Sequence, residues 1–101
     1  MAKTLLCKVS DVRVGGLKQV ETGDGRKVCV IHAESGFFAC RAYCPHQGFA
    51  LCEGSVDGTT LTCLEHLWQW DVRTGETLGL AEERLEVYPV NVRKGWVFLK
   101  S

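Results

Sequence analysis

Apolar residues recur along the chain in short runs bounded by Gly, Asp or Ser, among them "KVCVIHA", "FFACRA", "LWQWD", "LEVYPVNV" and "WVFLK". No segment keeps a 3.6-residue apolar period long enough for a substantial helix, so the pattern predicts an all-β chain. Strands are expected at Thr4–Val9, Lys27–Ala33, Phe37–Ala42, Thr60–Leu64, Leu67–Asp71, Leu85–Arg93 and Trp96–Lys100. Turns are signalled by "TGDG", "ESG", "VDG", "RTG" and "RKG". Pro89 falls where Leu85 and Val87 give way to Val90 and Val92; lacking an amide donor, it marks a bulge or an edge position. Only "SDV" at 10–12 and "AEER" at 81–84 read as helical turns.

At 101 residues the chain has room for one modest core, and no Pro- or Ser-rich linker divides it, so one domain over 1–101 is expected. Twelve Lys and Arg balance twelve Asp and Glu, which leaves no basic field to hold nucleic acid or anionic lipid. No window approaches the roughly 20 apolar residues of a membrane span. The first residues show no small-residue cleavage site, and a cytoplasmic protein is expected. Six cysteines would suit a secreted disulfide scaffold, yet no export signal precedes them and 46% hydrophobic residues can build a core unaided. Cys7, Cys29 and Cys40 lie in strand-like runs and read as small buried hydrophobes.

Cys44 and Cys63 differ, because each is followed closely by a histidine. The chain reads Cys44-Pro45-His46, sixteen residues, then Cys63-Leu64-Glu65-His66. Thiolates choose soft metals and imidazoles suit zinc or iron, so two such pairs favour a metal centre over catalysis by any one of them. The pairs lie between apolar strands, "FFACRAY" before and "LWQWDV" after, which puts them at hairpin ends where two loops side by side form a rigid tip. Two readings stand. Four such ligands make a structural zinc site, although no Cys-x-x-Cys occurs here. Alternatively two thiolates take one iron and two imidazoles the other, each loop giving one ligand to each metal, which divides the residues as they are found.

"CPHQ" followed after sixteen residues by "CLEH" resembles the Cys-x-His and Cys-x-x-His boxes of Rieske iron-sulfur proteins. The likeness is looser in "SDVRVGG", "EGSVDGTTLTC", "RTGE" and "VYPVNVRKGWVFL". The resemblance implies stacked antiparallel β-sheets with a cluster-binding subdomain near 43–70. It also implies one 2Fe-2S cluster per chain, with Cys44 and Cys63 on the inner iron and His46 and His66 on the outer iron near the surface.

Membrane-anchored Rieske proteins carry a further cysteine in each ligand loop. Here Phe49 and Leu64 or Glu65 hold those places, and Cys52 has no evident partner in the second loop, so the resemblance implies a soluble ferredoxin. High-potential relatives place a serine two residues, and a tyrosine four residues, after the second histidine. Trp68 and Trp70 stand there and offer no hydroxyl, and an ionised Glu65 would oppose an added electron. A potential toward the low end of the Rieske range of roughly −150 to +300 mV follows. Such a carrier resembles the ferredoxin component of bacterial multicomponent oxygenases. It would take electrons from an NADH-dependent flavoprotein reductase and pass them to a terminal oxygenase hydroxylase component. "CPHQ" and "HLW" favour a diiron aromatic monooxygenase, a ring-hydroxylating dioxygenase being the alternative. A zinc-stabilised interaction module, or a cluster-bearing subunit fixed in a larger enzyme, are the other classes.

His46 and His66 then serve as ligands and docking surface, with Pro45, Gln47, Leu67 and Trp68 as an apolar collar, unless Trp68 is core. Trp70, Trp96 and Phe98 are expected in the core, and Gly48, Gly54 and Gly58 as turn glycines. His32 is expected to have no metal role, and Glu34, Glu53, Asp57, Glu82 and Glu83 form a solvated face. No catalytic constellation appears, and a monomeric carrier without catalysis of its own is expected.

Overall fold

A computed structural model describes residues 4–23, 25–43, 50–63, 67–79 and 81–100. Eleven strands among these residues form three antiparallel sheets. β1 (Thr4–Lys8), β11 (Trp96–Leu99) and β10 (Val90–Arg93) make a terminal sheet in that order. β2 (Gly16–Glu21), β3 (Lys27–Ala33), β4 (Gly36–Arg41) and β9 (Val87–Tyr88) make a middle sheet. β5 (Ser55–Asp57), β6 (Thr60–Thr62), β7 (Gln69–Asp71) and β8 (Thr77–Leu78) form a third, in simple sequential order. The all-β reading and the stacking of antiparallel sheets hold.

The middle sheet is covered on both faces, which explains why β3 reads as an almost unbroken apolar run rather than an alternating one. Successive side chains of β3 point to opposite faces. Val28 and Val30 pack toward the terminal sheet with Cys7, Val97 and Leu99, whereas Cys29 and Ile31 pack toward Leu51, Leu61, Cys63, Trp68 and Trp70. Val28 through Ile31 are fully buried. Burying each such aliphatic side chain stabilises the fold by about 1.5–3 kcal/mol relative to exposure.

The predicted β3 matches its observed bounds, and Pro89 does separate β9 from β10, letting the chain leave the middle sheet for the terminal one. The 3₁₀ turn at Val9–Asp11 contains most of "SDV". Several expectations fail. β2 was missed because "GLKQVE" is an edge strand with only Leu17 and Val20 as apolar contacts, and β5 and β8 are too short to show a period. "AEER" forms no helix at 81–84. Trp96 is 37% exposed and Phe98 half-buried. Along β11 the alternation turns Val97 and Leu99 inward, so both aromatics point outward.

Cys7, Cys29 and Cys40 are buried as expected, and among the described residues every cysteine is a free thiol. His32 bonds through Nδ1 to the Val12 carbonyl oxygen at 2.7 Å and stacks on Phe37 at 3.9 Å. Among the described residues no helix is long and apolar enough to cross a membrane.

Candidate metal centre

Cys63 follows β6 directly and is 1% exposed, its side chain packed among Leu51, Leu61, Trp68 and Trp70. The backbone there folds back on itself. The Cys63 amide donates to the Trp68 carbonyl at 2.7 Å, and the Leu67 amide donates to the Cys63 carbonyl at 2.9 Å. The segment 64–66 is thus closed at its base by two hydrogen bonds. Cys44, His46 and His66, the other three expected ligands, lie outside the described residues, as do Pro45, Gln47, Gly48, Phe49, Leu64 and Glu65.

The segment 44–49 is closed in the same manner. Tyr43 and Ala50 pair in an isolated antiparallel bridge, and the Leu51 amide donates to the Ala42 carbonyl at 2.8 Å. A 3₁₀ turn at Leu51–Glu53 then carries the chain into β5. Leu51, fully buried at the foot of the first segment, shares one apolar core with Cys63 at the foot of the second. The two bases are locked by a close approach. A Cβ on Gly54 would collide with the Thr62 carbonyl oxygen, so only glycine lets the chain leaving the first segment pass the strand entering the second. Gly54 is therefore a close-approach residue with φ of −83°, whereas Gly58, at φ of 60°, is a turn glycine.

Below the bases, Gln69 Nε2 donates to Thr62 Oγ1 at 3.2 Å across β6 and β7. Trp70 is fully buried and its indole N–H donates to the Glu83 carbonyl at 2.8 Å; Trp68 meets its ring edge-on at 6.1 Å. Trp68, 7% exposed, is thus core and not part of an exposed collar, because its ring completes the wall beside Cys63. Leu67 is 62% exposed and adopts φ of 58°, a left-handed conformation uncommon for a non-glycine residue. It holds an apolar side chain in solvent next to His66. Neither the left-handed Leu67 nor the Gly54 approach leaves a signal in the one-dimensional pattern, since both arise from contacts across the hairpin.

Deeper in the core lies a row of three thiols. Cys29 and Cys40 face each other across β3 and β4, and Cys52 packs against the same core. The Cys29 thiol is held above its ordinary range chiefly by sharing a hydrogen with Cys40, with burial adding to this. Cys52 is raised chiefly by its contact with Cys29 and by burial. Cys29 and Cys52 thus stay protonated, and the three thiols belong to the packing. Among the described residues no group of three or more His, Cys, Asp or Glu side chains is placed to hold a metal ion. By its chemistry, the expected set of two thiols and two imidazoles, of which the described Cys63 lies inside an apolar wall, suits an iron-sulfur group.

The comparisons with known proteins bear on the family and the fold. The Rieske [2Fe-2S] domain profile matches residues 2–89. The methanesulfonate monooxygenase ferredoxin subunit of Methylosulfonomonas methylovora is 38% identical over 94% of this chain and 77% of its own length. The ferredoxin component of the p-cumate 2,3-dioxygenase system of Pseudomonas putida is 32% identical over 93% of this chain and 81% of its own. Among solved structures, the Sphingomonas yanoikuyae B1 ferredoxin superposes with a TM-score of 0.91 at 27% identity, covering 99% of each chain. A chain from the complex of reduced oxygenase and oxidized ferredoxin in carbazole 1,9a-dioxygenase superposes with a TM-score of 0.85 at 27% identity, over 94% of this chain and 89% of that one. The family implies a 2Fe-2S cluster, and relatives of this kind are electron-transfer components of oxygenase systems. With its two Cys-His boxes, its three stacked sheets and these relatives, the chain belongs to the Rieske [2Fe-2S] family.

Proposed function

We propose that this chain is one Rieske domain over 1–101, with a cluster-binding part near 43–70, that acts as a soluble cytoplasmic one-electron carrier. In this reading Cys44 and Cys63 hold the inner iron, and His46 and His66 hold the outer one. The observation that carries it is the buried Cys63 at the shared base of two segments, each closed by backbone hydrogen bonds and locked together at Gly54. When bound, the cluster supplies a site that gains and loses one electron.

The residues around it set how readily that electron is held. A donor aimed at cluster sulfur stabilises the reduced form and raises the potential. Trp70, at one of the two positions where high-potential relatives carry a hydroxyl, spends its N–H on the Glu83 carbonyl instead. This supports a potential toward the low end of the Rieske range of roughly −150 to +300 mV. Leu67, exposed beside His66, offers an apolar contact for a transient redox partner, a class of complex that needs only a small interface.

The electron comes from an NADH-dependent flavoprotein reductase and goes to a terminal oxygenase. The box forms "CPHQ" and "HLW" favour a diiron aromatic monooxygenase. The relatives include ferredoxins of both a monooxygenase and a dioxygenase, so a ring-hydroxylating dioxygenase is the second reading. The test is electron paramagnetic resonance on the dithionite-reduced protein with iron and acid-labile sulfide assayed on the same sample, followed by reconstitution with reductase and oxygenase. Two irons, two sulfides and a rhombic signal of low average g, with NADH oxidation that depends on this chain, are expected. A colourless sample with one zinc overturns the reading.

A further inference from the structure

Cys52 finds no partner in the second Cys-His box, but the fold sets it against a strand that carries one. It sits in the 3₁₀ turn at Leu51–Glu53, which packs against β2 and β3 where the chain leaves the first closed segment. Its side chain joins the apolar core that holds Cys29 and Cys40, and Cys29 shares hydrogens with both of the other thiols. The row is graded in exposure. Cys40 and Cys29 are fully buried, whereas Cys52 is partly open to solvent, and all three are free thiols. An oxidant therefore meets the row at Cys52.

Two pairings are open to Cys29, and geometry separates them. Cys29 and Cys40 stand directly opposite each other across β3 and β4. The Arg41 amide donates to the Glu86 carbonyl at 2.9 Å, so the Cys40 amide, one residue back, points the other way, into the ladder with β3. Cys29 and Cys40 are thus a hydrogen-bonded pair, whose Cβ atoms lie toward the upper end of the roughly 4.5–5.5 Å seen for opposed residues. A disulfide needs about 3.5–4.5 Å, and the ladder resists that closure. Cys52 belongs to a short irregular turn outside any ladder, so it can adjust to Cys29.

We infer that Cys52 and Cys29 form a peroxide-sensitive thiol pair. Hydrogen peroxide converts the Cys52 thiol to a sulfenic acid and leaves as water; the Cys29 sulfur then attacks the Cys52 sulfur, closing the disulfide and releasing a second water. One peroxide gains two electrons, and each thiol supplies one. Because both thiols are held protonated, the step is slow and answers to sustained peroxide. The loop that the bond closes, residues 29–52, contains β4 and the whole first Cys-His box, so the bond restrains the unfolded chain and pins the exit of the first segment to the middle sheet. The inference stands on thiol geometry and does not need the carrier reading.

The experiment holds the cluster-loaded full chain in excess hydrogen peroxide, denatures it in iodoacetamide and maps its peptides by mass spectrometry without reduction. Wild type, Cys52→Ser, Cys52→Ala and Cys40→Ala are compared. Expected is a Cys29–Cys52 crosslink within one chain, reversed by dithiothreitol, absent from both Cys52 variants and retained in Cys40→Ala. Oxidised wild type is expected to melt above its reduced form, with no such shift in Cys52→Ser. Four results overturn the inference: Cys52 as sulfinic or sulfonic acid with Cys29 still alkylated, a Cys29–Cys40 crosslink in its place, a Cys52–Cys52 link between two chains, or both thiols still fully alkylated after sustained peroxide. The wild-type map alone decides among these, whether or not every variant folds.

Discussion

Gly54 carries no chemistry, yet it decides whether the two segments that hold the Cys-His boxes can share a base. Placing a Cβ there drives it into the Thr62 carbonyl, and the strand must shift because that oxygen belongs to the backbone. Gly54→Ala is expected to cost about 1–3 kcal/mol, as overpacking does, and to lower the cluster content. Chemical denaturation and iron assay on the purified variant check both outcomes. Trp70→Phe keeps the ring but strands the Glu83 carbonyl, with an expected loss of about 1–3 kcal/mol. If the potential also falls in that variant, the argument that the Trp70 N–H is already spent has failed. Both positions show what a linear reading of the chain can supply at this scale. The core place of Trp70 is legible from its strand-like run, whereas the turn expected at Gly54 gives way to a close approach, because its neighbour across the hairpin is eight residues away in sequence.

At the scale of elements, the β10–β11 hairpin turns through Lys94 and Gly95, both at positive φ, 52° and 83°. Two-residue hairpins of this kind favour Asn followed by Gly, since Asn tolerates the left-handed region better than Lys. Lys94→Asn is therefore expected to stabilise the protein by about 0.5–1 kcal/mol, or a few degrees in Tm for a chain this size. Leu67 is the counterpart in the ligand hairpin. Leu67→Gly is expected to leave stability within about 1 kcal/mol of wild type, because relief of left-handed strain offsets the entropy of glycine. The same change is expected to slow electron delivery by removing the exposed apolar contact. Equal delivery rates in stopped-flow mixing with the oxygenase would show that Leu67 plays no part in docking. Strands with long apolar runs were readable because both faces of the middle sheet are buried. β2, β5 and β8 escaped because an edge strand and two short strands carry too few apolar positions to set a period.

For the molecule as a whole, the thiols predict an alkaline weakness. Cys7, Cys29 and Cys52 are each held above the ordinary thiol value near 9, mainly by burial at Cys7 and by thiol-to-thiol contact at Cys29 and Cys52. A raised folded-state value means that the stability from keeping them neutral is complete below about pH 9 and is lost as pH climbs above it, where the unfolded chain ionises first. Thermal unfolding followed from pH 7 to 10.5 is expected to show a falling Tm above pH 9, and Cys52→Ala should flatten that limb. On the acid side the Asp71 carboxylate, paired with Arg73 at 2.7 Å, is held below its usual range. Its contribution is present above the ordinary carboxylate value and disappears as pH falls through the lowered one, and its surface position keeps that contribution small.

The order of apolar runs and turn residues by itself determined an all-β chain, and the two Cys-His pairs pointed to a metal centre, because strand periodicity and ligand chemistry are both written locally. Tertiary structure decided which face each side chain took. Trp68 became core and Trp96 surface, since the first fills the wall beside Cys63 while the second falls on the outward parity of an outermost sheet. Local sequence cannot set that parity; it follows from which layer each strand joins, and so from contacts between residues far apart in the chain.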